Sequence, residues 1–336
     1  LSGEAPDDLI WLITSRCNLA CKHCYAYLYR KEEELNTRDV IKIIEDAANA
    51  GVERIHYTGG EPLIREDIFD VLRHTLDLGL STSIFTNATM VNERIANELA
   101  KLDVVVYTSM DGYSKETYES IRGINTWDRF IRGLKALINS GVYVHVNISV
   151  TETNWEYVGK TIRKALEFGA SSISIIPAMP SGRALSNGIY VRAKHFLQAL
   201  KEATKVAREM GIILWVWCAP FVPIVERSPY IRCGNCRYWD VMDITPSGRV
   251  ILCDVLNYEI CDIKKLGIKG AWKVLKEHPL VQRIMSPRLR YPCSDCPLSD
   301  YCKGGCYARA QIISGSIEAP DPLCPIVSGH VRIEEL

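Results

Sequence analysis

A chain of 336 residues has room for one large domain and a smaller one, at about 100–200 residues each. Its 47% apolar and 24% charged residues exclude a disordered chain, and 40 Lys and Arg against 40 Asp and Glu leave no global basic field for nucleic acid or an anionic membrane. No apolar run approaches the ~18 residues of a spanning helix, and residues 1–8 are acidic and lack a signal-peptide apolar core, so a soluble, cytoplasmic chain is expected.

Strand and helix signals alternate through the first two thirds. Residues 9–14 form a short apolar run and read as the first strand. Thr37 stands where an N-cap belongs, ahead of Val40, Ile41, Ile43 and Ile44, and Gly51 closes that helix. Strands are then expected over 54–58, 82–86, 104–109, 142–150, 172–176 and 212–217. Helices are expected over 68–78, 95–102, 127–139, 157–168 and 193–210. About six βα units with short connections require a parallel sheet, because each crossover lays a helix on a sheet face. A doubly wound sheet and a full or partial barrel both meet that rule. In barrels the chemistry sits at the C-terminal ends of the strands, and Cys17, Gly59, Gly60, Glu61, Ser109 and Pro177 all lie just past a strand end. Trp215 and Trp217 alternate along a strand and read as core. After Cys218 the chain turns rich in Cys, Pro and Gly, and helical periodicity survives mainly over 271–284. A region so poor in long elements needs staples, and bound metal supplies them.

The thirteen cysteines set this chain apart. They cluster at tight spacings, and none lies between 24 and 218. A secreted disulfide scaffold is short and spreads its cysteines, so metal ligation is the better reading here. Cys17, Cys21 and Cys24 form a CxxxCxxC loop. Three thiolates on one loop suit zinc or an iron–sulfur cluster, and three ligands leave a fourth position open, as reactive metal sites do. Closed tetrahedral zinc completed by His23 is the structural alternative.

CxxxCxxC followed directly by an aromatic, Tyr25, resembles the radical S-adenosylmethionine (SAM) enzymes. The resemblance implies a partial (β/α)6 TIM-like barrel, which agrees with the alternation above. It also implies a [4Fe–4S] cluster on the three cysteines, with SAM chelating the fourth iron. An electron supplied by a donor such as ferredoxin or flavodoxin then cleaves SAM to a 5′-deoxyadenosyl radical that abstracts a substrate hydrogen. Further residues support the likeness. Thr58-Gly59-Gly60-Glu61-Pro62 matches the stretch that binds the SAM amino group; adjacent glycines allow close backbone approach, and a carboxylate accepts from an ammonium. Ser109-Met110-Asp111-Gly112 with Arg122 resembles the segment in which Ser and Arg contact SAM, a guanidinium being suited to a carboxylate. Tyr25 corresponds to the aromatic against the adenine. Pro180-Ser181-Gly182-Arg183-Ala184 resembles a stretch common in one subgroup.

The C-terminal cysteines resemble the SPASM extension of these enzymes, so the likeness spans roughly residues 9–328. It divides the chain into a radical SAM barrel, 9–217, and a small cysteine-rich, cluster-stapled α+β SPASM domain, 218–328. Cys293, Cys296, Cys302 and Cys306 fit its CxxCxxxxxCxxxC core, Cys324 its last ligand, and Gly248-x4-Cys253 its upstream part. Eleven residues separate Cys236 from Gly248 and fourteen separate Cys233 from it, so both fit. The resemblance implies two auxiliary [4Fe–4S] clusters, three in all. Cys293, Cys296, Cys302 and Cys324 hold the second; Cys306 joins Cys253 and two more thiolates, chosen as Cys233 and Cys236, at the first. If only one of that pair ligates, the first cluster keeps an open iron or recruits Cys218. Cys218 and Cys261 otherwise read as buried, inert thiols.

Two auxiliary clusters imply redox chemistry beyond hydrogen abstraction, so an oxidoreductase is expected. Most SPASM relatives act on peptides, which makes post-translational modification of a peptide the first expectation. Many of them carry an N-terminal peptide-recognition domain, whereas about eight residues precede the first strand here. Trimming of tetrapyrrole side chains in haem-type cofactor synthesis is the second reading, with Arg183 and Arg309 as candidates for the carboxylates. A non-catalytic zinc-ribbon scaffold is the third. Asp254, next to Cys253, is a candidate proton acceptor or a tuner of the first auxiliary cluster; a structural cap is its plainer use. His23 is expected to pack or hydrogen-bond. Neither nucleic acid nor membrane is expected as a partner.

Overall fold

The computed structural model describes residues 3–335. The strands are β1 (Asp8–Thr14), β2 (Arg54–Gly59), β3 (Ser81–Thr86), β4 (Val105–Ser109), β5 (Val144–Val150), β6 (Ser172–Pro177), β7 (Leu214–Val216), β8 (Ile231–Cys233), β9 (Val241–Ile244), β10 (Arg249–Ile251) and β11 (Glu259–Asp262). The helices are α1 (Thr37–Ala50), α2 (Ile68–Asp77), α3 (Glu93–Lys101), α4 (Lys115–Arg122), α5 (Trp127–Asn139), α6 (Val158–Phe168), α7 (Gly182–Ser186), α8 (Ala193–Met210), α9 (Ile263–Glu277), α10 (Pro279–Met285), α11 (Ser299–Cys302) and α12 (Tyr307–Ser314). One eleven-stranded sheet runs β11-β10-β9-β1-β2-β3-β4-β5-β6-β7-β8. From β9 through β8 every pairing is parallel, and β10 and β11 add an antiparallel edge. The expected α/β class with a partial barrel is what the chain forms. No described helix is long and apolar enough to cross a membrane.

Side chains alternate across the sheet. One face is covered by helices: Val144, Val146, Ile148 and Val150 of β5 are fully buried, as are Ile173 and Ile175 of β6. Helix α8 answers with Phe196, Ala199, Leu200, Ala203 and Ala207, spaced along one stripe and buried. Each large apolar side chain so buried contributes about 1.5–3 kcal/mol. The other face is the concave interior and carries polar and aromatic groups instead. Phe85 stacks on Tyr107 at 4.4 Å between ring centroids, Tyr107 lies 4.7 Å from His145, and His145 is held between Ser172 and Ser174 at 2.7 Å each. Trp215 and Trp217 also belong to this face. They are 38% and 37% exposed and stack at 5.2 Å, which corrects the core reading: Leu214 and Val216 are the buried alternates.

Other departures have local causes. The N-cap of α1 is Asn36, whose side chain accepts from Asp39 N; Thr37 is the first helical residue and hydrogen-bonds Asp67. Helix α4 was not expected. It is short, starts at a Ser114–Thr117 capping box and ends at Gly123. The periodicity over 271–284 is two helices, α9 and α10, because His278 is extended ahead of Pro279. Strands β8 to β11, of three or four residues each, lie among the cysteines. They extend the sheet past both β1 and β7 without a break at residue 218.

Candidate functional site

The CxxxCxxC loop leaves the C-terminal end of β1 and is pinned on all sides. Glu34 accepts from Thr14 Oγ1 at 2.6 Å and Ser15 N at 2.9 Å just before it. Arg30 donates to the Leu19 carbonyl at 2.6 Å, Lys22 N to the Ile121 carbonyl at the end of α4, and Arg183 N of α7 to the Cys24 carbonyl. Cys17, Cys21 and Cys24 lie within reach of one another's charge. Burial raises the Cys17 thiol and pushes Cys21 up to about 11, with the neighbouring thiols adding to both. Leu19 N and Asn87 Nδ2 point at Cys17 Sγ, at 3.4 and 3.9 Å. Such a set repels itself as thiolates until a cationic centre joins it.

The Gly-Gly-Glu stretch after β2 runs hard against the entry to this loop. Gly60 N donates to the Thr14 carbonyl and Glu61 N to the Arg16 carbonyl, each at 2.8 Å. A Cβ on Gly60 would stand 1.9 Å from the Arg16 carbonyl oxygen, and Gly59 adopts φ +125°. Glu61 is fully buried. It accepts from Thr86 Oγ1 and Asn87 N at 2.7 Å and from Leu63 N at 3.2 Å. Burial raises its carboxyl to about 7 against the pull of these donors. The carboxylate therefore braces the end of β3, where Asn87 reaches across to Asn18 at 2.8 Å.

The segment after β4 turns on Asp111. Its Oδ1 accepts from Ser149 N at 2.8 Å and its Oδ2 from Arg122 Nε at 2.5 Å, while His23 Nε2 sits 3.4 Å from Oδ2. Arg122 is buried with its Nη1 3.9 Å from Cys21 Sγ; Asp111 and Cys21 raise its pKa although burial opposes them. The Asp111 carboxylate was not singled out in the sequence, yet it ties β4, β5, α4 and the cysteine loop together. The tight Gly112, whose Cβ would meet Tyr118 N at 2.3 Å, was the available sign. His23 is largely shielded, which lowers it to about 4, and its Nδ1 has no hydrogen-bond partner among the described residues. Ser109 ends β4, in register with Asn147. Four strand ends are thus linked through Cys17, Gly60, Asn87 and Asp111.

A second junction lies under Tyr25. Its hydroxyl lies within reach of the Asp254 carboxylate's charge, and Tyr29 donates to the Asp254 carbonyl at 2.6 Å. Asp254 Oδ1 faces Cys253 Sγ at 3.6 Å, and Asp254 N donates to Asp243 Oδ2 at 3.0 Å. Burial raises both carboxyls. Asp254, next to Cys253, is therefore tied through Tyr29 to the segment that follows the CxxxCxxC loop.

The remaining thiols form two groups. Cys293, Cys296, Cys302 and Cys324 line one cavity with Gly304 and Ile224; burial and mutual charge push Cys293 up to about 12 and Cys324 to about 11. Cys236, Cys253 and Cys306 act on one another beside Asp254. Cys236 is accessible as a residue, yet its thiol lies deep enough for burial to raise it to about 12. Two further thiols border this group differently. Cys233 lies on β8 opposite the buried Val216, with its sulfur 3.6 Å from the Tyr301 hydroxyl, and Cys218 faces the group instead.

The spacing of the donors bears on the metal. Thiolates around tetrahedral zinc, about 2.3 Å from the ion, lie about 3.8 Å apart. Among the described residues only Asp243, Cys253 and Asp254 bring three potential ligand atoms within 4.8 Å of one another. No three thiols have zinc spacing, which counts against both the His23 zinc site and the zinc ribbon. Sets of three and four thiolates are the donors that iron–sulfur clusters take.

Residues 11–165 match the family model of the radical SAM superfamily. The AdoMet-dependent heme synthase of Oleidesulfovibrio alaskensis is 27% identical, over 94% of this chain and 86% of that protein. The mycofactocin maturase MftC of Mycobacterium tuberculosis is also 27% identical, over 97% of this chain and 84% of its own length. The crystal structure of Streptococcus suis SuiB bound to precursor peptide SuiA superposes with a TM-score of 0.77 at 20% identity, covering 96% of this chain and 76% of SuiB; that likeness is one of fold. The family brings with it S-adenosylmethionine and a [4Fe–4S] cluster, for which the open three-thiol loop has the donors. Residues 11–165 thus form a radical S-adenosylmethionine domain, and the likeness to the heme synthase and the maturase runs on over nearly the whole chain.

Proposed function

We propose that this enzyme modifies a peptide by radical chemistry, using one SAM-binding and two auxiliary [4Fe–4S] clusters. The observation that carries the reading is the arrangement of thiols in three separate groups, one at the barrel mouth and two among residues 218–328. Cys17, Cys21 and Cys24 hold the first cluster, which when reduced supplies the electron that cleaves SAM. Gly59 and Gly60 let backbone reach the bound SAM, Glu61 holds that backbone in place, and Ser109, Arg122 and Tyr25 border the same space. Arg122, fixed by Asp111, keeps a cation beside Cys21. Cys293, Cys296, Cys302 and Cys324 hold the second auxiliary cluster, and Cys236, Cys253 and Cys306 belong to the first. Asp254 links that site to the segment after the SAM loop through Tyr29, a positioning role in place of a proton-accepting one. Residues 9–217 and 218–328 act as barrel and SPASM units on one shared sheet.

Two observations favour a peptide. The concave face presents the half-buried Asn147 between the Phe85–Tyr107 and Trp215–Trp217 stacks, a polar group flanked by apolar surfaces, which suits a backbone amide with side chains on either side. Of the arginines considered for tetrapyrrole carboxylates, Arg309 is buried and spent on Asp321 and the Cys218 carbonyl. Tetrapyrrole trimming remains the second reading on the strength of the 27% identical heme synthase. Anaerobically reconstituted enzyme should bind about twelve irons and twelve sulfides, four per cubane. With reductant and SAM, 5′-deoxyadenosine formation should rise well above the uncoupled rate on adding precursor peptides, whose product mass shifts. A rise with a tetracarboxylate tetrapyrrole alone would favour the second reading.

A further inference from the structure

We infer that Cys218, and not Cys233, is the fourth protein thiolate of the first auxiliary cluster, which is therefore closed by Cys218, Cys236, Cys253 and Cys306. The inference rests on the proposal that two auxiliary clusters are present. It goes beyond that proposal in fixing whether the cluster nearest Tyr25 offers an open iron.

The buried Arg309–Asp321 pair sets two of the four thiols at once. Arg309 Nη2 donates to the Cys218 carbonyl at 2.7 Å. Its Nε and Nη2 grip Asp321 at 2.7 and 2.9 Å, and Asp321 Oδ2 accepts from Cys306 N at 2.9 Å. Arg309 N, in turn, points at Cys306 Sγ at 3.5 Å. One ion pair therefore fixes the backbone of Cys218 relative to that of Cys306, although the two are far apart in sequence. Cys218 itself sits at φ +55°, a left-handed conformation unfavourable for a side-chain-bearing residue that persists where surroundings over-determine it. The turn brings the Cys218 thiol under the charge of Cys306, Cys236 and Asp254.

Cys233 has the opposite surroundings. It is paired into β8 opposite Val216, and the Tyr301 hydroxyl donates to its carbonyl at 3.0 Å and lies 3.6 Å from its sulfur. Burial and the Tyr301 hydroxyl are what act on its thiol. With Cys218 in the set, eleven of the thirteen cysteines have a cluster, and Cys233 and Cys261 remain thiols. Four thiolates leave no iron position for substrate, so the first auxiliary cluster passes electrons and does not bind substrate.

The test uses full-length protein reconstituted without oxygen. Cys218→Ala should lower bound iron from about twelve toward eight, or leave a site whose Mössbauer spectrum changes on adding cyanide, as an open iron does; Cys233→Ala should keep the wild-type iron and spectrum. In the folded wild-type chain, maleimide should label Cys233 and spare Cys218 until iron is chelated, as read by peptide mass spectrometry; this needs no variant to fold. Loss of iron in Cys233→Ala alone, or labelling of Cys218 with all clusters in place, would overturn the assignment. A wild-type chain holding only about four irons would remove the auxiliary clusters themselves, and the assignment with them.

Discussion

Buried polar residues here serve as braces. Asp111 accepts from Arg122, from Ser149 N and faces His23, with no exposure of its own. Removing one partner of such a buried pair leaves an uncompensated charge, at a cost of about 3–5 kcal/mol. Arg122→Ala should lose that much in chemical denaturation, and adding Asp111→Ala should restore part of it, because the two act on one network. His145 gives a pH dependence. Burial between Ser172 and Ser174 lowers it from 6.5 to about 4, so it folds neutral. The stability it lends is full above pH 6.5 and is lost as pH falls toward 4, by about 3 kcal/mol in all. His145→Gln should flatten the fall in urea midpoint between pH 7 and 5, leaving the part due to His23, which is lowered in the same sense. The identity of the loop cysteines was readable because three thiols within eight residues have few other uses. Asp111 was not, because a lone Asp after a strand looks like any turn.

At the scale of elements, the loops after β1 and β2 are one unit. A methyl group on Gly60 would collide with the Arg16 carbonyl at 1.9 Å, whereas one on Gly79, at φ +81°, would meet nothing within 4 Å. Gly60→Ala should therefore lose SAM binding, by equilibrium dialysis, and about four irons. Gly79→Ala should keep both and lose about 1 kcal/mol of stability. The long helices α5 and α8 were legible to the residue, since apolar spacing and a closing glycine mark them. The split between α9 and α10 follows from Pro279, which the periodicity alone passes over. The short β8 to β11 carry too few residues for alternation to show, and they form by pairing with β7 and β9, whose positions the rest of the chain decides.

Across the whole molecule, the sheet joins what composition divides. β9 pairs with β1 and β8 with β7, so residues 218–328 cap both sides of the barrel sheet. Residues 1–217 expressed alone would expose β1 and β7 as bare edges; this fragment should be largely insoluble, by sedimentation after expression, beside a soluble full chain. Metal should matter most in the region poor in helices. Chelation of iron should open residues 290–324 to trypsin first, while the barrel helices hold, because thiolate ligation supplies folding energy there.

The amino-acid sequence by itself determined the chemistry that starts the reaction: thiol spacing, adjacent glycines and alternating periodicity are local properties, and a metal loop or a βα unit needs only neighbours in sequence. Tertiary structure decided what local order cannot. It gave Glu61 the end of β3 to brace, put Trp215 and Trp217 on the open face, spent Arg309 on Asp321, and set Cys218 near Cys236 and Cys306 with Cys233 beside Tyr301. Each of these depends on which distant backbone a side chain meets, and that is fixed only when the eleven strands take their order.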